Sequence, residues 1–182
     1  FWLVLSIFGA LPFALSQETN LSFIDALFES ISGLTTTGAT VFTNLEDLPK
    51  SILYYRQQLQ WLGGIGIVVI AVSILPMIGV GGMQIYKAET PGPIKDTKLT
   101  PRIAETANAL FKIYVFLTVV CAIAYWVAGM SWFDALSHSF STISIGGFST
   151  YDESLGHFDN NAVLTIASIF MVVSGLNFAL HY

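Results

Sequence analysis

Long apolar runs alternate with short polar stretches along this chain, and the runs have the length of membrane-crossing helices. Residues 61–83, 113–130 and 160–180 contain no Asp, Glu, Lys or Arg. Crossing a hydrocarbon layer ~30 Å thick takes about 20 apolar residues. The three runs therefore predict transmembrane helices, and the opening "FWLVLSIFGALPFAL" predicts most of a fourth. Two shorter segments, Ser22 to Leu34 and Ser131 to Ile143, predict helices of another kind. At about 1.5 Å per residue each spans roughly 20 Å, too little to cross. Each begins with a serine followed three residues later by an aspartate, a capping hydroxyl with an acid in the first turn. A polar loop follows each, "TTTG" at 35–38 and "SIGG" at 144–147. The pattern predicts a half-helix entering from the outer surface, ending inside the bilayer, and a loop climbing back out. Such a re-entrant element is tolerated only where protein or water surrounds it.

The two short segments are copies. "DALFESISGLTTTGAT" (25–40) and "DALSHSFSTISIGGFS" (134–149) align without gaps at an offset of 109 residues. Asp-Ala-Leu repeats, and Ser30 matches Ser139, Ser32 matches Ser141, Gly38 matches Gly147. Each copy follows one apolar run and precedes another. The organisation expected is a first helix–loop–helix unit over 1–86, a basic linker over 87–106 and a second unit over 107–182. Two spans joined by an external loop return the chain to the same side, so the units are parallel rather than inverted. The fold class expected is an all-α membrane protein.

Composition agrees. The chain is 54% hydrophobic and 10% charged, where a soluble domain carries about a quarter charged residues. It opens on Phe1 inside an apolar run and stops at Tyr182 as another ends, so it is expected to be a fragment of a larger membrane protein. Five of the seven Lys and Arg fall between 87 and 112. Basic residues accumulate in cytoplasmic loops, which puts this linker inside. Its Pro91, Gly92, Pro93 and Pro101 mark it as a connector. The remaining polar connections then lie outside and carry Glu18, Asp25, Glu29, Glu46, Asp47, Asp134, Asp152, Glu153 and Asp159. Solvated loop charge accounts for these acids, and so does a negative vestibule that concentrates cations. Arg56 is expected to be anchored to Glu46, Asp47 or a lipid headgroup. His138 and His157 are placed on the outer side, and Cys121 is read as an apolar filler.

Chemistry concentrates in the two loops. A half-helix ending inside the membrane presents the negative end of its dipole there, which favours a cation. The backbone carbonyls of Thr35, Thr36, Thr37 and Gly38, and of Ser144, Ile145, Gly146 and Gly147, are the candidate ligands. Such oxygens can replace an ion's hydration shell, and glycine permits the backbone angles that align them. Neutral dipoles suit a weakly hydrated monovalent cation better than Mg²⁺ or Ca²⁺. The competing explanation is that Thr and Gly are helix-packing residues, which two copies in the same context make the weaker one. Gly63, Gly64 and Gly66 are expected to let a helix approach closely, Pro76 to kink it, and Gly79, Gly81 and Gly82 to form a bend. No His-Glu-x-x-His or paired-Cys pattern supports metal catalysis, no cofactor is expected, and nothing calls for nucleic acid.

"FIDALFESISGLTTTGAT", "WFDALSHSFSTISIGGFST" and "QWLGGIGIVVIAVSILP" resemble the pore loops and following helix of the Trk/Ktr/HKT superfamily of potassium uptake proteins, and the likeness covers essentially the whole chain. The resemblance implies four such units around a potassium-channel-like pore, of which this chain would hold the first two. Gly38 and Gly147 would occupy the filter-glycine positions. Some relatives carry Ser at the first of these and pass sodium, so Gly38 favours potassium. It further implies a homodimer in a bacterial inner membrane and a cytosolic nucleotide-binding regulatory subunit. The basic 87–112 segment is either a contact for that subunit or a topology signal. The rival readings are potassium transport coupled to protons or sodium, a membrane-embedded enzyme, and a non-conducting scaffold or sensor. Coupling would need a titratable residue deep in a span, and none stands out in the sequence.

Overall fold

A computed structural model describes residues 2–66 and 99–175, with side-chain environments for 2–66 and 107–175. Pro76, Gly79, Gly81, Gly82, His181 and most of the basic linker lie outside the described residues. Regular structure within them is helical. α1 is Trp2–Leu15, α2 is Phe23–Leu34, α3 covers 50–66, α4 is Leu99–Val127, α5 is Trp132–Ile143 and α6 is Asn161–Gly175. A single-turn 3-10 helix, Leu45–Asp47, follows the first loop, and a longer one, Ser154–Phe158, follows the second.

Each unit is built as a long helix packed on a short one, α1 on α2 and α4 on α5, with α6 closing against α4 and α5. Two cores result. The first gathers Ala10, Phe13, Ala26, Leu34, Phe42, Leu45 and Leu59, and the second Tyr114, Cys121, Tyr125, Ala135, Ile143, Val163 and Ala167. Cys121 is a buried free thiol, as its neighbours lead one to expect. The outward faces are apolar: Leu3, Phe8, Phe116, Val127 and Val172 are all exposed. Contiguous exposed apolar surface is rare on a water-facing monomer. Among the described residues one stretch, Ala107–Val127, is long and apolar enough to cross a membrane, and the described parts of α1 and α6 are shorter apolar helices.

α4 corrects one boundary. The linker was expected to run as a connector to 106, with Pro101 inside it. Leu99, where the described residues resume, is already helical, and the helix includes Pro101.

The short helices start as the serines lead one to expect. Ser22 Oγ accepts from Asp25 N–H at 3.2 Å and donates to Asp25 Oδ2 at 2.7 Å. Ser131 does the same with Asp134, at 3.1 and 2.6 Å. They also end alike. Thr36 N–H donates to Gly33 O and Thr37 N–H to Ser32 O, and Ile145 N–H donates to Thr142 O and Gly146 N–H to Ser141 O. This crossed pair of bonds is the Schellman ending, which puts one residue in the left-handed region. That residue is Thr36 in one copy and Ile145 in the other.

Candidate functional site: two facing loops

After each short helix the backbone alternates in hand. Thr35 and Ser144 have φ of −87° and −79°, Thr36 and Ile145 have +54° and +53°, and Gly38 and Gly147 have +80° and +87°. Thr37 and Gly146 are not among the positive-φ residues. Backbone of alternating hand is a conformation in which successive carbonyls can be turned to one side of a strand. Glycine meets the requirement at Gly38 and Gly147 without steric penalty. The β-branched Thr36 and Ile145 meet it at roughly 1–3 kcal/mol each.

The carbonyls of these residues are largely uncommitted. Among the described residues no hydrogen bond is accepted by the carbonyls of Thr35, Thr36, Thr37 or Gly38, nor by those of Ser144, Ile145 or Gly147. Gly146 O differs: it accepts from Gln60 Nε2 at 2.7 Å. The two loops also meet. A Cβ placed on Gly38 would collide with Gly146 O, and one placed on Gly147 would stand 3.9 Å from Gly38 Cα. Gly38 and Gly147 therefore face each other across a backbone-to-backbone contact.

Behind each loop stands the same post. Position 29 of the first short helix corresponds to 138 of the second, and loop position 40 to 149. Glu29 accepts from Thr40 Oγ1 at 2.9 Å, and Thr40 Oγ1 accepts from Phe42 N–H at 3.1 Å. His138 Nε2 bonds Ser149 Oγ at 2.9 Å, and Ser149 Oγ accepts from Tyr151 N–H at 3.1 Å. The geometry repeats although a carboxylate has become an imidazole. Glu29 and Asp134 are buried, so solvation in an outer loop does not account for these two acids, and His138 is buried as well. Asp134 accepts from Thr150 Oγ1 at 2.9 Å, which draws it inward. It also accepts from the Tyr151 hydroxyl at 3.3 Å. Partial burial, then the Asp134 charge, push that phenol's pKa up.

Arg56 is the largest correction. Its side chain is fully buried and reaches neither Glu46, Asp47 nor the surface. Nε donates to Glu29 Oε1 at 2.7 Å, Nη2 to Thr40 Oγ1 at 2.9 Å and Nη1 to Ser149 O at 3.1 Å. The guanidinium lies over the rings of Phe42 and Phe148, 5.2 and 4.4 Å from their centroids. One side chain thus ties both loops together. A buried charge is tolerated only when paired and hydrogen-bonded in this way.

The remaining joints lie on either side of this one. Asp152 of the second unit accepts from Asn44 N–H at 2.8 Å and Leu45 N–H at 3.1 Å, and so caps the first unit's 3-10 turn. A cavity of about 370 Å³ beside it has Glu46, Lys50, Asp134 and Tyr151 on its walls. On the other side of the loops, α3 lies against the end of α2. A Cβ on Gly63 would strike Leu34 O, and one on Gly64 would come 2.9 Å from Ser144 Cβ, so these glycines permit the close approach expected of them.

A family model described as "TrkH: Cation transport protein" matches residues 1–182. The chain is 61% identical over all its residues to the Trk system potassium uptake protein TrkH of Vibrio parahaemolyticus, and covers 38% of that protein. It is 50% identical to the Trk system potassium uptake protein TrkG of Escherichia coli K12, again over 38% of the relative's length. The crystal structure of the potassium transporter TrkH from Vibrio parahaemolyticus superposes with a TM-score of 0.85 at 54% identity, covering the whole of this chain and 35% of that one. A match that runs the full length of the chain in both sequence and structure leaves one assignment: this chain belongs to the TrkH family of cation transport proteins.

Proposed function

We propose that the two loops form half of a potassium-selective filter in a four-unit, channel-like pore of a bacterial inner membrane. The ligands are the backbone carbonyls of Thr35, Thr36, Thr37 and Gly38 and of Ser144, Ile145, Gly146 and Gly147. One observation carries this reading. Two stretches with the same alternation of backbone hand, and seven of eight carbonyls free of hydrogen bonds among the described residues, meet at Gly38 and Gly147. Carbonyl oxygens without protein donors are free to take the place of water around a partly dehydrated K⁺. The relatives' names, potassium uptake proteins, agree. Passage of an ion needs no bond chemistry, so no enzymatic step is proposed. The regulatory subunit and the homodimer follow from the family likeness.

Coupling to protons would need a carboxylate free to change partners. Glu29 is buried deeply enough, but Arg56, Thr40 and the Val41 N–H engage both of its oxygens. Uncoupled flow is the reading this favours. The test is Gly38→Ser and, separately, Gly147→Ser in the full-length subunit, with K⁺ and Na⁺ fluxes measured in proteoliposomes. Discrimination between the ions falls in both variants if the loops are the filter. An unchanged flux ratio in both would remove the assignment.

A further inference from the structure

Gln60 makes a contact that no ligand list for the loops includes. It projects from α3 of the first unit and is fully buried. Its Nε2 donates to Gly146 O at 2.7 Å, and its Oε1 accepts from Phe148 N–H at 3.1 Å. One amide therefore clasps the residues on either side of Gly147. Both of its polar atoms are used, and both bonds run between units.

The clasp also accounts for a residue that the repeat leaves unexplained. Position 146 is glycine where the first copy has Thr37. Gly146 does not have positive φ, so its backbone conformation would accept a side chain. The obstacle is steric: a Cβ there would run into the Gln60 amide. Gly146 is small because Gln60 occupies the space. α6, the helix that follows the second loop, carries no glutamine and makes no such clasp among its described residues. The clasp belongs to the seam between the first and second units.

We infer that Gln60 is a specificity-determining positioning residue, which sets the tilt of the Gly146 carbonyl and so the ion discrimination of the second loop. The inference rests on the filter reading. A carbonyl has two lone pairs, so Gly146 O can accept from Gln60 and still face an ion. Gln60 fixes the direction of the second. Without it the 146–148 backbone can relax around a smaller ion.

The test uses the full-length subunit in proteoliposomes, reading the K⁺/Na⁺ flux ratio beside membrane abundance. Q60L keeps bulk and removes both bonds. Loss of one buried hydrogen bond's worth of discrimination predicts a fall in the ratio of about tenfold, with K⁺ flux retained. A ratio within about twofold of wild type would overturn the inference, since a purely structural residue would alter abundance alone. Gly147→Ser is the control: if it lowers the ratio and Q60L does not, the filter stands and the clasp falls. If neither lowers it, the filter reading fails as well. Should Q60L not reach the membrane, Q60N decides: its amide is one methylene too short to hold both bonds, so the ratio should fall, and a ratio within about twofold of wild type would overturn the inference.

Discussion

The two units share a backbone and differ in what supports it. Thr36 and Ile145 differ by 1° in φ, and Gly38 and Gly147 by 7°. The posts behind the loops have matching lengths. The side chains that make them do not match: the first unit uses Glu29 with Arg56, the second a neutral pairing of His138 with Ser149. The helix after the second loop, α6, carries neither arginine nor glutamine. The requirement common to both is a hydroxyl at loop position 40 or 149, held from behind and holding the next N–H but one. A buried cation is added where α3 crosses from the first unit to the second. Repetition therefore fixes the loop's shape, and seams between units carry the individual chemistry.

The sharpest way to break this comparison is at Arg56. R56A leaves Glu29 charged and unpaired in the interior, which destabilises by about 3–5 kcal/mol. Thr165→Ala, on the exposed face of α6, should change stability by less than about 0.5 kcal/mol. Thermal melting of the purified, detergent-solubilised subunit, followed by size exclusion, checks both. Comparable losses would mean that the seam is not special.

A smaller difference is expected at the paired glycines. Both G38A and G147A place a Cβ on a residue of positive φ, at about 1 kcal/mol. Only G38A also drives that Cβ into Gly146 O, adding about 1–3 kcal/mol of overpacking. G38A should melt lower than G147A in the same assay, and equal melting would show that the loops do not touch as described. The smallest effect should be the same in both units. S22A and S131A each remove one N-cap, for about 1 kcal/mol. Unequal losses would show that the two half-helices are anchored differently.

What could be read from the sequence was local or repeated. The caps at Ser22 and Ser131 depend on residues three apart. The loop conformations depend on a glycine at a fixed distance beyond a helix end, and the 109-residue offset made one copy a check on the other. What could not be read depends on distant partners. Glu29 and Arg56 are 27 residues apart, and Gln60 and Gly146 are 86 apart. An arginine near the outer end of a helix looks the same in sequence whether it turns toward headgroups or inward. Two signals were available in hindsight. Glu29 lies inside a helix whose next turns are Ser30, Ser32 and Gly33, a face too polar for lipid, and Gly146 breaks the match with Thr37. Neither identifies a partner without the fold. Helix through Pro101 was not legible either, because proline reads as a breaker when its place in a helix is unknown.

The row of carbonyls without donors has a thermodynamic corollary. If these oxygens line a filter, as proposed, their dipoles repel one another and a cation among them would help to hold the loops in shape. The cargo is then a linked ligand of the folded state: melting temperature should climb with potassium activity as occupancy rises, by about 2.7 kcal/mol at a hundredfold excess over the dissociation constant. A subunit starved of its ion is expected to lose the order of these loops before it loses its helices.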